Sequence, residues 1–220
     1  MDLRNDQIAI VHAFSENLQN LADVTFPNHV EYASKHGYVV KTKEIVYPWD
    51  SPWEKIQIIQ EVLADPNIRK VLWIDADAIF TNMELPLTQH LPDGKIVITC
   101  DAFGPNAGIL WLTNCPEVRR LLQAVTMVRP MFRASPWNEQ TALRHLFLHP
   151  PYDKLVTYVE QRQMNAYFCE YSPSLLGPPP NDIGKWQPGD FILHRPGIDN
   201  KVRIKDFKKV LSDIQASSLD

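Results

Sequence analysis

Residues 71–80, "VLWIDADAIF", decide the fold. Four strand-forming apolar residues run into two aspartates, Asp75 and Asp77, with one residue between them. A carboxylate in apolar surroundings is costly unless a cation meets it. The stretch therefore reads as a buried strand that ends at a cation site. In an extended segment, residues i and i+2 point to the same side, which converges both carboxylates on one point and turns Ala76 away. Two like charges held that close repel, and one takes up a proton unless a cation sits between them. A hard divalent ion such as Mg²⁺ or Mn²⁺ suits oxygen ligands and keeps positions open for a phosphate. The plainer alternative is a strand-end aspartate capping the following turn, with the second one exposed.

Upstream of this strand, "SPWEKIQIIQEVLADP" (51–66) predicts a helix. Ser51 is the expected N-cap, Pro52 the first helical residue and Glu54 the capping-box partner. Ile56, Ile59 and Leu63 mark one apolar face, and Asp65-Pro66 stops the helix. "QIAIVHAF" (7–14) and "YVVKTKEI" (38–45) are two earlier strands. The helical region between them ends near Gly37, which suits a left-handed cap. Downstream, "KIVITC" (95–100) and "AGILWL" (107–112) are further strands. "CPEVRRLLQAVTMV" sets Val118, Leu121, Leu122 and Val125 at helical spacing. A second Ser-Pro helix start is expected at Ser135 and Pro136. Residues 176–190 read as loop, "DFILH" as a short late strand, and "VRIKDFKKVLSDI" as an amphipathic terminal helix with Ile204, Phe207, Val210, Leu211 and Ile214 on its apolar face. Strands alternating with helices predict an α/β sandwich, parallel at least in its first half. In such sheets ligands bind beyond the carboxyl ends of the strands, which is where Asp75 and Asp77 fall.

The 220 residues, 45% hydrophobic, suffice for one ordinary core, so residues 1–220 are expected to form a single domain. A formal charge of -4 argues against a nucleic-acid partner. The three cysteines, Cys100, Cys115 and Cys169, show no paired spacing, so a reduced compartment is the default. The amino-terminal segment carries charges where a signal peptide is apolar, and no run is long enough to cross a bilayer. The expectation is a cytoplasmic protein without a membrane span.

Four further positions bear on the cation site. His194 ends the late strand and offers a third metal ligand, or else a satisfied core histidine. Lys55, on the first turn of the 51–66 helix, reads as a phosphate or ribose contact, or as a solvated charge. Asn106 and Gly108 precede a strand. A glycine there lets a ligand approach the backbone, or simply forms a turn. Trp137 and Trp186 offer flat faces on which a ligand can stack, although a Trp more commonly packs in the core.

Several ordered blocks resemble the GT-A-fold glycosyltransferases of the fungal galactosyl/mannosyl and plant xyloglucan xylosyl transferase family. They are "EYASKHGY", the Trp53–Lys55 helix, the Asp75–Asp77 strand with Ile79 and Phe80, "PNAGILWLTNCP", "WNEQTAL" and "GDFILHRPG". They run in order from about residue 30 to 200. The chain departs from the family pattern at Glu139, where Asp is usual before Gln140, and at Arg195, where an aromatic is frequent. The resemblance implies a Rossmann-like GT-A fold, with a central mixed sheet flanked by helices. It implies metal-dependent transfer of a hexose or pentose from a nucleotide-diphosphate sugar to a glycan or other hydroxyl acceptor, with retention of configuration. Mn²⁺ or Mg²⁺ would be the cofactor, bound by Asp77 and His194 directly, with Asp75 on the metal through water or on the ribose. Lys55 would contact ribose or phosphate, and Val11, His12 and Ala13 would line the base. Asp101 and Asn106 would bind donor-sugar hydroxyls, with Gly108 beside them, and Glu139 and Gln140 would sit near the anomeric carbon. If configuration were inverted, Asp101 or Glu139 would be the general base. Two rivals remain: a haloacid-dehalogenase-type phosphatase, which also uses Asp-x-Asp after an apolar strand, and an inactive nucleotide-sugar-binding module.

Overall fold

The computed structural model describes residues 3–168 and 184–217. Its elements, in order, are β1 (Ile8–Phe14), α1 (Gln19–His36), β2 (Val39–Glu44), α2 (Ser51–Leu63), β3 (Lys70–Asp75), β4 (Ala78–Phe80), α3 (Leu87–His90) and β5 (Ile96–Asp101). There follow β6 (Gly104–Thr113), α4 (Pro116–Phe132), α5 (Asn138–Phe147), β7 (Val156–Val159), α6 (Gln161–Met164), β8 (Ala166–Tyr167), β9 (Ile192–His194) and α7 (Asn200–Ser217). The main sheet has the order β2-β1-β3-β6-β5-β7, and a smaller one the order β4-β9-β8. The first three strands are mutually parallel, as the sequence predicts, while β6 runs antiparallel to both β3 and β5. The sheet is therefore mixed.

Strand alternation sorts the apolar residues onto two faces. Ala9, Val11, Ala13, Val71 and Trp73 pack against α2, α4 and α5. Ile8, Ile10, Leu72 and Ile74 pack against α1 and β4 on the other face. Burial on both sides explains why β1 and β3 read as nearly continuous apolar runs. The terminal helix lays Phe207 and Val210 over Leu21, Ile79 and Leu193.

Gly37 closes α1 in the left-handed region at φ 70°, and its N–H reaches Ala33 O and Ser34 O. Two helix starts differ from expectation. Helix α2 is preceded by Asp50, not Ser51, and Pro52 is its second residue. The Glu54 carboxylate accepts the backbone N–H groups of Val46 and Tyr47 instead of closing a capping box, so it pins the preceding loop. Helix α5 begins at Asn138 after Trp137, not at Ser135-Pro136. Asn138 has φ 41°, a rare conformation that turns the chain sharply into that helix. Of the expected loop, residues 176–183 lie outside the described residues, as does Cys169. Among the described residues no helix is long and apolar enough to cross a membrane.

Candidate active site

The candidate cation site is assembled where the two sheets meet. β3 ends at Asp75, and Ala76-Asp77 form a turn instead of continuing the strand. The carboxylates still converge, but through that turn and not through strand alternation. β4 then pairs antiparallel with β9, setting Ala78 opposite His194. Arg195 N–H donates to Asp77 O at 2.9 Å. This pairing carries His194 across 117 positions to Asp77, with Nε2 3.1 Å from Asp77 Oδ1. Asp75, Asp77 and His194 each offer a ligand atom, all within 4.8 Å of one another. Octahedral ligands on one ion, at bonds of about 2.1 Å, stand about 3–4 Å apart. A small side-chain rotation therefore suffices, and two carboxylates with one imidazole fit Mn²⁺ or Mg²⁺.

Each carboxylate already has a cationic neighbour. Arg203 of α7 places Nη2 2.8 Å from Asp77 Oδ2. Burial pushes the Asp77 carboxyl up, but His194 and Arg203 outweigh it and hold the group below the usual carboxylate range. Lys55 is buried, neither solvated nor open to the cleft as a free charge. Its Nζ lies 2.9 Å from Asp75 Oδ1 and 3.2 Å from Glu139 Oε1, and donates to Ala107 O at 3.0 Å. Burial opposes the ammonium, yet Asp75 and Glu139 prevail and raise its pKa. Burial also raises the Glu139 pKa, against the pull of Lys55. Trp73 Nε1–H donates to Asp75 Oδ1 at 2.6 Å.

A cleft of about 380 Å³ opens over these groups. It is lined by Lys55, Asp75, Asp77, Asp101, Asn106, Gly108, Glu139, Gln140 and His194, with Phe103 and Trp137 on one wall. Nine of the residues singled out in the sequence are thus brought together. Val11, His12 and Ala13 are not: their side chains are buried, and they are absent from the cleft lining. His12 instead faces His29, Nδ1 to Nδ1 at 2.9 Å, while His29 Nε2 bonds Ala78 O. Trp186 also lies elsewhere, packed on Phe168 and donating to Thr81 Oγ1. Gly108 makes room for His194: a Cβ there would stand 2.3 Å from His194 Cε1.

Asp101 is held as an acceptor by Phe103 N–H, Asn106 Nδ2 and Tyr167 Oη. Gln140 Oε1 accepts Ala107 N–H at 2.9 Å, which leaves its Nε2 for the cleft. Sequence reasoning missed Asn165, Tyr167 and Arg203. Only Arg203 left a signal: it stands four residues before Phe207, at the head of the buried stripe of α7.

The Asp-x-Asp at the rim of a mixed sheet, joined by a late histidine, is set in a fold that known glycosyltransferase structures share. A glycosyltransferase involved in glycosylating the major capsid protein of PBCV-1 superposes with TM-score 0.71, at 18% identity over 92% of this chain and 98% of that one. The galactosyltransferase LgtC, solved with donor and acceptor sugar analogues, gives TM-score 0.57 at 14% identity over 93% of this chain and 95% of that one. In sequence, residues 5–95 match the galactosyl transferase GMA12/MNN10 family. Galactomannan galactosyltransferase 1 of Cyamopsis tetragonoloba is 32% identical over 103 residues, covering 41% of this chain and 24% of that protein. An alpha-1,2-galactosyltransferase of Schizosaccharomyces pombe (strain 972 / ATCC 24843) is 22% identical over 241 residues, covering 90% of this chain and 60% of that protein. The chain thus spans from a quarter to three-fifths of the length of these relatives. Family match, relatives and fold together support a glycosyltransferase.

Proposed function

We propose that the protein transfers a hexose or pentose from a nucleotide-diphosphate sugar to a hydroxyl of a glycan or similar acceptor. The reaction depends on a divalent ion, Mn²⁺ or Mg²⁺, retains configuration, and is carried out by residues 1–220 as one domain. The observation that carries this reading is the convergence of Asp75, Asp77 and His194 at the floor of a cleft in a glycosyltransferase fold. Both relatives are named galactosyltransferases, which favours a hexose.

Asp77 and His194 would hold the ion directly, and Asp75, whose Oδ1 meets Lys55 and Trp73, would reach it through water or touch the ribose. A divalent ion held there would supply positive charge beside a diphosphate leaving group. Lys55 keeps Asp75 and Glu139 ionically satisfied beneath the donor. Gln140 presents Nε2 to the sugar from a fixed amide. Asp101 and Asn106 offer their remaining hydrogen-bonding capacity to sugar hydroxyls. Neither candidate general base is free, because Asp101 accepts three hydrogen bonds and Glu139 is turned to Lys55. That supports retention over inversion. The phosphatase alternative needs Asp75 as a free nucleophile, whereas its Oδ1 is bound by both Lys55 and Trp73.

The test is turnover of UDP- and GDP-sugars with and without Mn²⁺. Release of nucleotide diphosphate that needs Mn²⁺ and disappears in a folded Asp77→Ala variant is expected. Metal-dependent turnover that survives in that variant rejects the assignment. Nucleotide-sugar binding without any turnover leaves the binding-module reading.

A further inference from the structure

The hydrogen bonds behind His194 form a directed chain, and a single backbone group sets its direction. Gly108 N–H can only donate, and it lies 2.9 Å from the Asn106 side chain. The Asn106 atom there is therefore Oδ1, which leaves Nδ2 to donate to Asp101 Oδ2 at 3.0 Å. The same Asn106 oxygen stands 3.0 Å from Asn165, which must present its Nδ2. Asn165 Nδ2 also donates to Thr99 Oγ1 at 3.2 Å. Asn165 Oδ1 is then the atom facing His194 Nδ1, at 2.8 Å. An amide oxygen only accepts, so Nδ1 carries a proton. Reversing Asn106 would set donor against donor at Gly108, and reversing Asn165 would set acceptor against acceptor at Asn106. Asn165 is fully buried, so water cannot substitute for any of these partners.

We infer that Asn165 is a positioning residue that fixes His194 as the Nδ1–H tautomer and assigns Nε2 as the nitrogen offered to the divalent ion. The inference rests on the metal site proposed above and deepens it. The imidazole is held from two sides: Asn165 sets its proton, and the bare Gly108 backbone sets its plane, with Cε1 where a side chain would otherwise stand. Through Asn106 the same chain reaches Asp101, so the acidic wall of the cleft and the imidazole share one polar scaffold.

Two measurements test it. Mn²⁺ binding is followed by electron paramagnetic resonance, and the His194 ring nitrogens are followed by ¹⁵N NMR with Mg²⁺ as the diamagnetic ion. In wild-type protein Nδ1 is expected protonated and Nε2 unprotonated. Asn165→Leu should weaken Mn²⁺ binding about 10–100-fold. Asn165→Asp, which keeps an oxygen toward Nδ1, should recover part of that loss. Thr99→Val removes a neighbouring bond without interrupting the chain, so it should lower the melting temperature and leave Mn²⁺ affinity unchanged. Wild-type Mn²⁺ affinity in Asn165→Leu, or a wild-type spectrum with Nε2 protonated and Nδ1 bare, overturns the inference. Should wild-type protein bind no Mn²⁺, the metal site falls. The role of Asn165 is still read from the ion-free protein, where a proton on Nδ1 upholds it, whether or not Nε2 also carries one toward Asp77, and a bare Nδ1 rejects it.

Discussion

Replacing Gly108 with alanine isolates one steric contact at the centre of the site. Gly108 is not among the glycines with positive φ, so alanine meets no backbone penalty there. The added Cβ would stand 2.3 Å from His194 Cε1 and 3.0 Å from Asn106 Oδ1. Non-bonded carbons rest at about 3.5–4.0 Å, so the imidazole must retreat by more than about 1 Å, or β6 must shift. Asn165 and Asp77 stand at the ring's two nitrogens, so a retreat from Gly108 breaks these contacts or drives the ring into the cleft. Overpacking of this kind lowers stability by about 1–3 kcal/mol. A misplacement of about 1 Å at a catalytic group costs on the order of 10²-fold in rate. Gly108→Ala is therefore expected to fold, to melt at a lower temperature, and to bind Mn²⁺ at least about tenfold more weakly. The assay is a Mn²⁺ titration by electron paramagnetic resonance beside a thermal melt. Wild-type affinity together with wild-type melting would refute the reasoning, because the ring could not then lie against Gly108.

Lys55→Met leaves Asp75 and Glu139 without their shared cation, and loss of about 3–5 kcal/mol is expected in denaturant unfolding. Adding Glu139→Gln should restore part of it. Burial lowers the His12 pKa to about 4, and burial together with His12 lowers that of His29. The unfolded chain takes up these protons as the pH falls below about 6.5, while His12 in the folded chain resists until about pH 4. Stability is thus whole above pH 6.5 and falls by about 3 kcal/mol for His12 alone as the pH drops to 4. Unfolding curves at pH 7.5 and 4.5 should show that loss, and His12→Leu should flatten it. Asn28 donates to Phe80 O at 2.9 Å and accepts from Phe80 N at 2.8 Å, both buried. Asn28→Ala should destabilise by about 2–4 kcal/mol, and an unchanged unfolding midpoint would show that β4 is held in some other way.

The elements were legible wherever apolar period and punctuation agreed. Val118, Leu121, Leu122 and Val125 are the four buried residues of α4, and Gly37 closes α1 as its neighbours suggest. The two Ser-Pro starts misled, because proline is tolerated at several early helix positions and the preceding loop decides which residue comes first. At Asp50 that decision lies with distant partners: Arg129 grips the Asp50 carboxylate, and Glu54 grips the loop before it. Within the site, residues beside a recognisable pattern were found, and residues supplied by pairing were not. Asn165 follows a four-residue helix, between Met164 and Ala166, and no motif marks it. Its role exists only because β8 and β9 run side by side. Lys55 looked solvated because its partners, Asp75 and Glu139, lie 20 and 84 positions away.

Diffraction from crystals soaked in Mn²⁺ and UDP, collected at the manganese absorption edge, addresses the centre of the mechanism. The expected anomalous peak lies between the Asp77 carboxylate and His194 Nε2, with diphosphate oxygens completing its shell. A manganese peak elsewhere, with UDP bound away from Asp77 and His194, would contradict it.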